Sequence, residues 1–246
     1  MKKKILNVLI ENIKTILFAL IIAVIIRSLI IQPFYIPSSS MEPTLLIGDR
    51  IFVSKFTYGI SKHSFPFSPN FLNKRIYYKP PKQGDLVVFK TPVDNRTDYI
   101  KRLIGLPGDE IQFVNGQILI NGKKIEREKI SKIKKVRCGK FSFQVESFLE
   151  TLPNGRQYLA VYNKQGTLQN SQKFKVPKDH FFLLGDNRDC SQDSRYLNSV
   201  GYVNFVNLVG KANMIFFSND TVKSSLFKFW NWKESFRLNR TFQLIK

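Results

Sequence analysis

"EIQFVNGQILINGKKI", residues Glu110–Ile125, sets two Asn-Gly pairs between short runs in which apolar and polar residues alternate. Asn-Gly supplies the two positive-φ positions of a tight hairpin turn, so the stretch reads as successive hairpins. The same period of two continues on both sides. "GDLVVFK" (Gly84–Lys90), "RQYLAVY" (Arg156–Tyr162), "HFFLLGD" (His180–Asp186) and "LVGKANMIFF" (Leu208–Phe217) all read as strands. "KFSFQVES" alternates Phe141, Phe143 and Val145 with polar residues, as a half-buried strand does. No amphipathic helical pattern follows residue 31, so the expected class is mainly β. Residues 57–82, rich in Ser, Pro, Phe and Lys, read as a long surface excursion. "KKIEREKISKIKKVR" (Lys123–Arg137) reads as a solvated strand or loop.

Upstream the pattern changes. "TILFALIIAVIIRSLII", residues 15–31, is 17 positions long and carries one charge, Arg27. A charge at the bilayer centre costs about 2.5 to 3.5 kcal/mol. The 12 Ile, Leu, Val and Phe residues of the run contribute about 6 kcal/mol against that, and Arg27 lies near one end, where it can snorkel. The run is expected to span a membrane. Lys2, Lys3, Lys4 and Lys14 precede it, so residues 1–14 are expected in the cytoplasm and everything after Ile31 across the membrane. A cleavable leader is the rival reading, with Ser38-Ser39-Ser40 imitating its cleavage site. Pro37 and Pro43 favour an uncleaved anchor.

The chain of 246 residues carries 39 basic and 18 acidic residues, a formal charge of +21. Such a surface is drawn to anionic partners. With an anchor present, anionic lipid is the expected one and nucleic acid is not. The two cysteines, Cys138 and Cys190, are far apart and lack metal-module spacing. A disulfide between them is compatible with an oxidising compartment, but the spacing does not call for one. No metal or other cofactor is expected, because two distant histidines and no HExxH leave no ligand set.

Three polar clusters fall at strand ends or turns: Ser38–Ser40, "DYIKRLIGLPGDE" (Asp98–Glu110) and "GDNRDCSQDSR" (Gly185–Arg195). Each alone passes for an ordinary turn. Together they contain a hydroxyl, a lysine among apolar neighbours and a knot of Asp, Arg and Ser, which is a set for covalent hydrolysis without histidine. His63 lies in the irregular excursion and His180 opens a strand, so neither is the expected base. A lysine base must be neutral, which requires its pKa to fall about three units from 10.4, and apolar burial achieves that. Lys101 and Lys90 both satisfy this reading, and spacing does not choose between them.

At these residues the chain resembles the type I signal peptidases, membrane-bound leader peptidases that remove signal peptides from exported proteins. "PSSSMEPTLLIGD" is similar to the family's nucleophile box, "DYIKRLIGLPGDEI" to its lysine box and "GDNRDCSQDSR" to its last signature, in family order behind an anchor. The resemblance implies an exported catalytic β core of coiled antiparallel sheets (32–124 and 176–220). It also implies a smaller inserted β domain (125–175), followed here by a basic, aromatic tail (221–246). Further, it implies that Ser40 is the nucleophile, Lys101 its base, Ser38 an oxyanion donor and Ser191 a group orienting Lys101, with Asp193 and Arg195 a structural ion pair. Phe34, Ile36, Leu45, Tyr99 and Ile100 would form shallow pockets accepting small residues of a signal peptide held as an added strand. The implied location is a bacterial inner membrane. The chain departs from the family pattern at Ser39 (commonly Gly), Cys190 (usually Asn) and Asn204 (typically Pro). The tail, with Trp230 and Trp232 among basic residues, reads either as a packed terminal segment or as contact with a membrane interface.

Overall fold

The computed structural model of the chain describes residues 2–66, 68–69, 72, 74–139, 141–163, 169–220 and 235–245. Helix α1 (Lys2–Ile25) runs through a π turn (Ile26–Ile30) directly into strand β1 (Ile31–Tyr35). Residues Lys3–Ser28 are long and apolar enough to cross a membrane, and the apolar window is not buried. At 1.5 Å per residue α1 is about 36 Å long, against about 30 Å of bilayer hydrocarbon. It begins well ahead of Thr15, where the apolar run was expected to start. Glu11 and Lys14 interrupt the hydropathy, but helical backbone bonding is indifferent to them, and exposed Ile5, Leu6, Leu9 and Ile13 extend the apolar surface.

Among the described residues the rest is built on antiparallel sheets. Strands β2 (Asp49–Ser54), β3 (Leu86–Lys90) and β4 (Asp98–Gly105) are followed by β5 (Glu110–Val114), β6 (Gln117–Ile120) and β7 (Lys123–Lys124). Next come β8 (Glu126–Cys138), β9 (Phe141–Thr151), β10 (Gln157–Tyr162) and β11 (Phe174–Lys175). Then β12 (His180–Leu184), β13 (Val203–Asn204), β14 (Leu208–Ser218) and β15 (Gln243–Leu244) close the order. The main sheet runs β1-β2-β14-β3-β4-β12-β13, with β15 added on β14. Register shifts along β14 and between β12 and β4 mark bulges, which bend and curl a sheet.

The opening hairpins form as read. Asn115-Gly116 and Asn121-Gly122 all have positive φ, and the turns they make join β5 to β6 and β6 to β7. The basic stretch after them is strand: β8 pairs with β9 and β9 with β10, a three-stranded sheet covering most of the expected insertion. That sheet shares its core with its neighbours, because Leu152, Tyr158 and Ala160 pack in one cluster with Ile104, Ile111 and Phe182. β11, also within residues 125–175, pairs with β5.

The excursion at 57–82 is not all surface. Tyr58 is buried and donates from Oη to Asp85 Oδ2 at 3.2 Å; buried Arg75 donates to the carbonyls of Gly59 (2.9 Å), Phe205 (3.2 Å) and Leu208. An irregular segment keeps its buried carbonyls satisfied this way. The tryptophan-bearing part of the tail lies outside the described residues. Its end packs on the domain, with Arg240 donating to Asp49 Oδ2 at 2.6 Å and β15 paired to β14.

Candidate active site

Ser38–Ser40 lie in the turn between β1 and β2, and the backbone fixes them from the opposite side. The Asn187 N–H donates to the Ser40 carbonyl at 3.1 Å, and Asn187 Nδ2 to the Ser39 carbonyl at 3.2 Å. Gly185 passes so close that a Cβ there would collide with the Ser40 carbonyl and the Ser191 side chain, so only glycine fits. Met41 and Leu45 are fully buried beneath the loop. The Ser38 and Ser40 hydroxyl oxygens are 3.4 Å apart, and among the described residues the Ser40 N–H has no acceptor.

Lys101 Nζ lies 2.7 Å from Ser40 Oγ. Strand alternation explains how: in β4, Lys101 faces the serine loop while the next residue, Arg102, points to the other side. Lys101 is 4% exposed and has no carboxylate within ion-pair distance among the described residues. Burial pushes its ammonium down from near 10.5 to about 8, against the opposing pull of the more distant Asp193 and Asp186. Lys90, the alternative on sequence grounds, pairs with Asp98 at 2.9 Å and donates to the Arg96 carbonyl at 2.7 Å. The histidines are elsewhere: His180 Nδ1 bonds the Lys178 carbonyl at 2.8 Å, and His63 is buried in a separate pocket.

Beneath the lysine sit three buried ion pairs. Arg102 binds Asp186 through two bonds (2.8 and 2.7 Å), and Thr44 adds a third to the same carboxylate. Arg188 binds Glu150 through two more (3.1 and 2.7 Å), with the Tyr158 and Tyr162 hydroxyls donating to that carboxylate. Arg195 binds Asp193 (2.7 and 2.8 Å), as the resemblance implied, and the Gly185 N–H joins it at 3.0 Å. Burial alone would raise the Asp193 and Glu150 carboxyls, but their arginines outweigh it and hold both below the usual range. Arg102–Asp186 and Arg188–Glu150 escaped the sequence reading. Their one signal is Arg102, a second cation next to the apolar Leu103 and Ile104 of β4.

Ser191 departs from the role implied for it. Among the described residues its buried Oγ does not bond Lys101; it lies beside Asp193, where it helps hold that carboxylate ionised. Its placement comes from packing against Gly185. Cys138 and Cys190 form a disulfide, with their Cα atoms 5.5 Å apart in the ordinary range for such a bond. The spacing did not call for it, because the partners are 52 residues apart and meet only once β8 folds over the serine loop.

A cleft of about 400 Å³ opens in front of Ser40 and Lys101. Phe34, Ile36, Tyr99 and Ile100 line it, as the resemblance implied, and Cys190 closes one side. Leu45 does not line it: it is fully buried among Met41, Ile51 and Val53, as the inward member of its turn. The cleft has two strand edges. Among the described residues β1 pairs only with β2, and β12 pairs with β4 only from Arg102 onward, which leaves β4 residues 98–101 unpaired on that side.

The model of the signal peptidase family, peptidase S26, matches residues 9–217. Signal peptidase I of Rickettsia conorii (strain ATCC VR-613 / Malish 7) is 43% identical, covering 92% of this chain and 89% of the relative. Signal peptidase I of Rickettsia typhi (strain ATCC VR-144 / Wilmington) is 41% identical, covering 92% and 90%. A solved signal peptidase I of Enterococcus faecalis V583 is 25% identical, covering 54% of this chain and 97% of its own, with a TM-score of 0.32. With the family model matched over most of its length and relatives 41 to 43% identical over 92% of it, this chain belongs to the signal peptidase family, peptidase S26.

Proposed function

We propose that this protein is a membrane-anchored signal peptidase that cuts signal peptides from exported preproteins, using Ser40 as nucleophile and Lys101 as general base. The observation that carries this reading is a 2.7 Å contact between a serine hydroxyl and a lysine amine buried without a counter-ion. With its pKa near 8, roughly a tenth of the amine is neutral at pH 7. In that form Nζ accepts the Ser40 proton instead of donating to it.

Oγ attacks the scissile carbonyl as its proton passes to Lys101 Nζ. The Ser40 N–H and the Ser38 hydroxyl are poised to donate to the oxygen that becomes negative, the kind of preorganised donor worth about 2.7 to 4 kcal/mol each. The C–N bond then breaks, and the leaving amine takes the proton back from Lys101. A water attacks the acyl ester, giving its proton to Lys101, and when the C–O bond breaks the Ser40 Oγ takes that proton, restoring the hydroxyl and the neutral amine. Ser191, beside Gly185 and Asp193, acts on the site only indirectly, through the Gly185 backbone that passes close to the Ser40 carbonyl.

The substrate enters as an extended strand between the free edges of β1 and β4, where main-chain bonds hold it and alternate side chains meet the shallow apolar wall. Small residues at the first and third positions before the cut follow from the period of two. The lysines at the N-terminus put that end in the cytoplasm and the domain outside, at a bacterial inner membrane. The Cys138–Cys190 bond supports this, since disulfides persist in oxidising compartments.

The test uses the full chain in detergent with one preprotein, sequencing the product's new N-terminus and titrating Ser40 with a serine-reactive transition-state mimic. Cleavage after a small-x-small motif and stoichiometric capture at Ser40 are expected. Capture that survives Ser40→Ala would overturn the assignment.

A further inference from the structure

A second and larger cavity, about 890 Å³, lies where the anchor meets the domain. Five cations line it: Arg27 from the last turn of the anchor, then Lys55, Lys62, Lys90 and Arg96. Its two carboxylates are already engaged. Asp98 pairs with Lys90, and Asp94 is wrapped by the Thr91 and Thr97 hydroxyls and two backbone N–H groups. Arg27 and Lys62 have no counter-ion among the described residues. Lys55 is 4% exposed, and its one bond runs to the Ser64 carbonyl at 3.0 Å.

Among the described residues the cavity also holds two buried polar atoms without partners. His63 is 4% exposed; its Nδ1 contacts Ser68 Oγ at 3.0 Å, but Nε2 has nothing to bond. Ser28 is 3% exposed and its Oγ is likewise unpartnered. Unsatisfied buried polar groups cost free energy, and here two of them line a space already rich in positive charge. Burial and neighbouring cations, Arg27 among them for Lys55, push Lys55 down to about 8 and His63 to about 4. A bound anion would reverse that repulsion. Its required chemistry is several acceptor oxygens and a negative charge, which a phosphate supplies.

Arg27 and Ser28 belong to the end of the segment that is apolar enough to cross a membrane. With α1 in a bilayer, they sit at the depth of the lipid headgroups, where phosphates are concentrated. We propose that this cavity binds the headgroup phosphate of an anionic phospholipid, which seats the catalytic domain on the membrane surface. Phe34 and Asp98 line both this cavity and the substrate cleft, so the bound lipid would form one shoulder of the cleft. The inference rests on the anchor lying in a membrane. It does not rest on the Ser40–Lys101 chemistry, which cleavage of a soluble peptide tests separately.

The chain has two histidines, one in the cavity and one outside it, and they provide the readout. Full-length protein with 15N-labelled histidine, in neutral detergent, is titrated with short-chain phosphatidylglycerol, with short-chain phosphatidylcholine and with inorganic phosphate. Phosphatidylglycerol is expected to move the His63 ring signals saturably and leave His180 in place. Arg27→Gln and, separately, Lys62→Gln should weaken that binding roughly tenfold, with an unmoved His180 signal showing that the fold is intact. A silent His63 overturns the proposal, as does equal saturation by inorganic phosphate, which would mark a free-anion site. An acidic substrate peptide that moves His63 where lipid does not would overturn it in favour of a substrate-binding role.

Discussion

Lys101 and the arginines beneath it are equally buried and differ in what they face. Arg102, Arg188 and Arg195 each meet a carboxylate through two bonds, and that pairing keeps Arg188 and Arg195 charged despite burial. Lys101 meets a hydroxyl and no carboxylate, and its charge is destabilised. Lys55 is the instructive third case. It is as buried as Lys101 and equally depressed, yet it faces a carbonyl, which has no proton to give. Burial tunes a lysine; on the proposed mechanism, the neighbouring hydroxyl is what gives it a proton to take.

The harshest test of that comparison is removal of the amine. Lys101→Met, and likewise Ser40→Ala, should lower single-turnover cleavage by roughly four orders of magnitude or more. In the wild type kcat/KM should rise with pH to a plateau above about 8, the value to which Lys101 is lowered. A profile flat from pH 6 to 9, on the order of three units wide, would show that the amine is not the titrating base. The opposite manipulation breaks a satisfied pair. Glu150→Gln strands Arg188 without its carboxylate, and denaturant unfolding should show a loss of about 3 to 5 kcal/mol.

Ser38→Ala should reduce kcat by about a hundred- to a thousandfold with KM little changed, as expected for a donor used only when the oxyanion forms. A smaller effect, opposite in sign, concerns stability. Lys101 holds fewer protons folded than unfolded between pH 8 and 10.5, so it costs the folded state on the order of 3 kcal/mol below pH 8. Lys101→Met should therefore raise stability by roughly that amount at pH 7, with the gain fading as pH approaches 10.5. His180→Ala should leave turnover unchanged, and loss of activity there would sink the dyad.

Local signals were readable and long-range ones were not. The Asn-Gly turns, the alternating strands and the serine cluster all lie within about ten residues, the range over which periodicity and turn chemistry act. The choice between Lys90 and Lys101 was not legible from periodicity, because both sit in apolar strands and only pairing across the sheet shows which one reaches the serines. The same limit hid Arg102–Asp186, 84 residues apart, and Cys138–Cys190. It also hid the inward face of Leu45 and the burial of Arg75, whose carbonyl partners include Leu208. The reading of 57–82 as a surface excursion was a composition effect: Ser, Pro and Lys describe a segment without regular structure, and they do not say whether it is packed.

No spacer separates α1 from the sheet, since Ile30 closes the last turn and Ile31 opens β1. From there to Ser40 the chain can reach no farther than about 35 Å even at full stretch, and β1 is already tied along its length to β2. With α1 in a membrane, that short tether would keep the serine loop within a bounded reach of the lipid, and lengthening the join by a few residues would extend the reach by about 3.3 to 3.6 Å for each residue added.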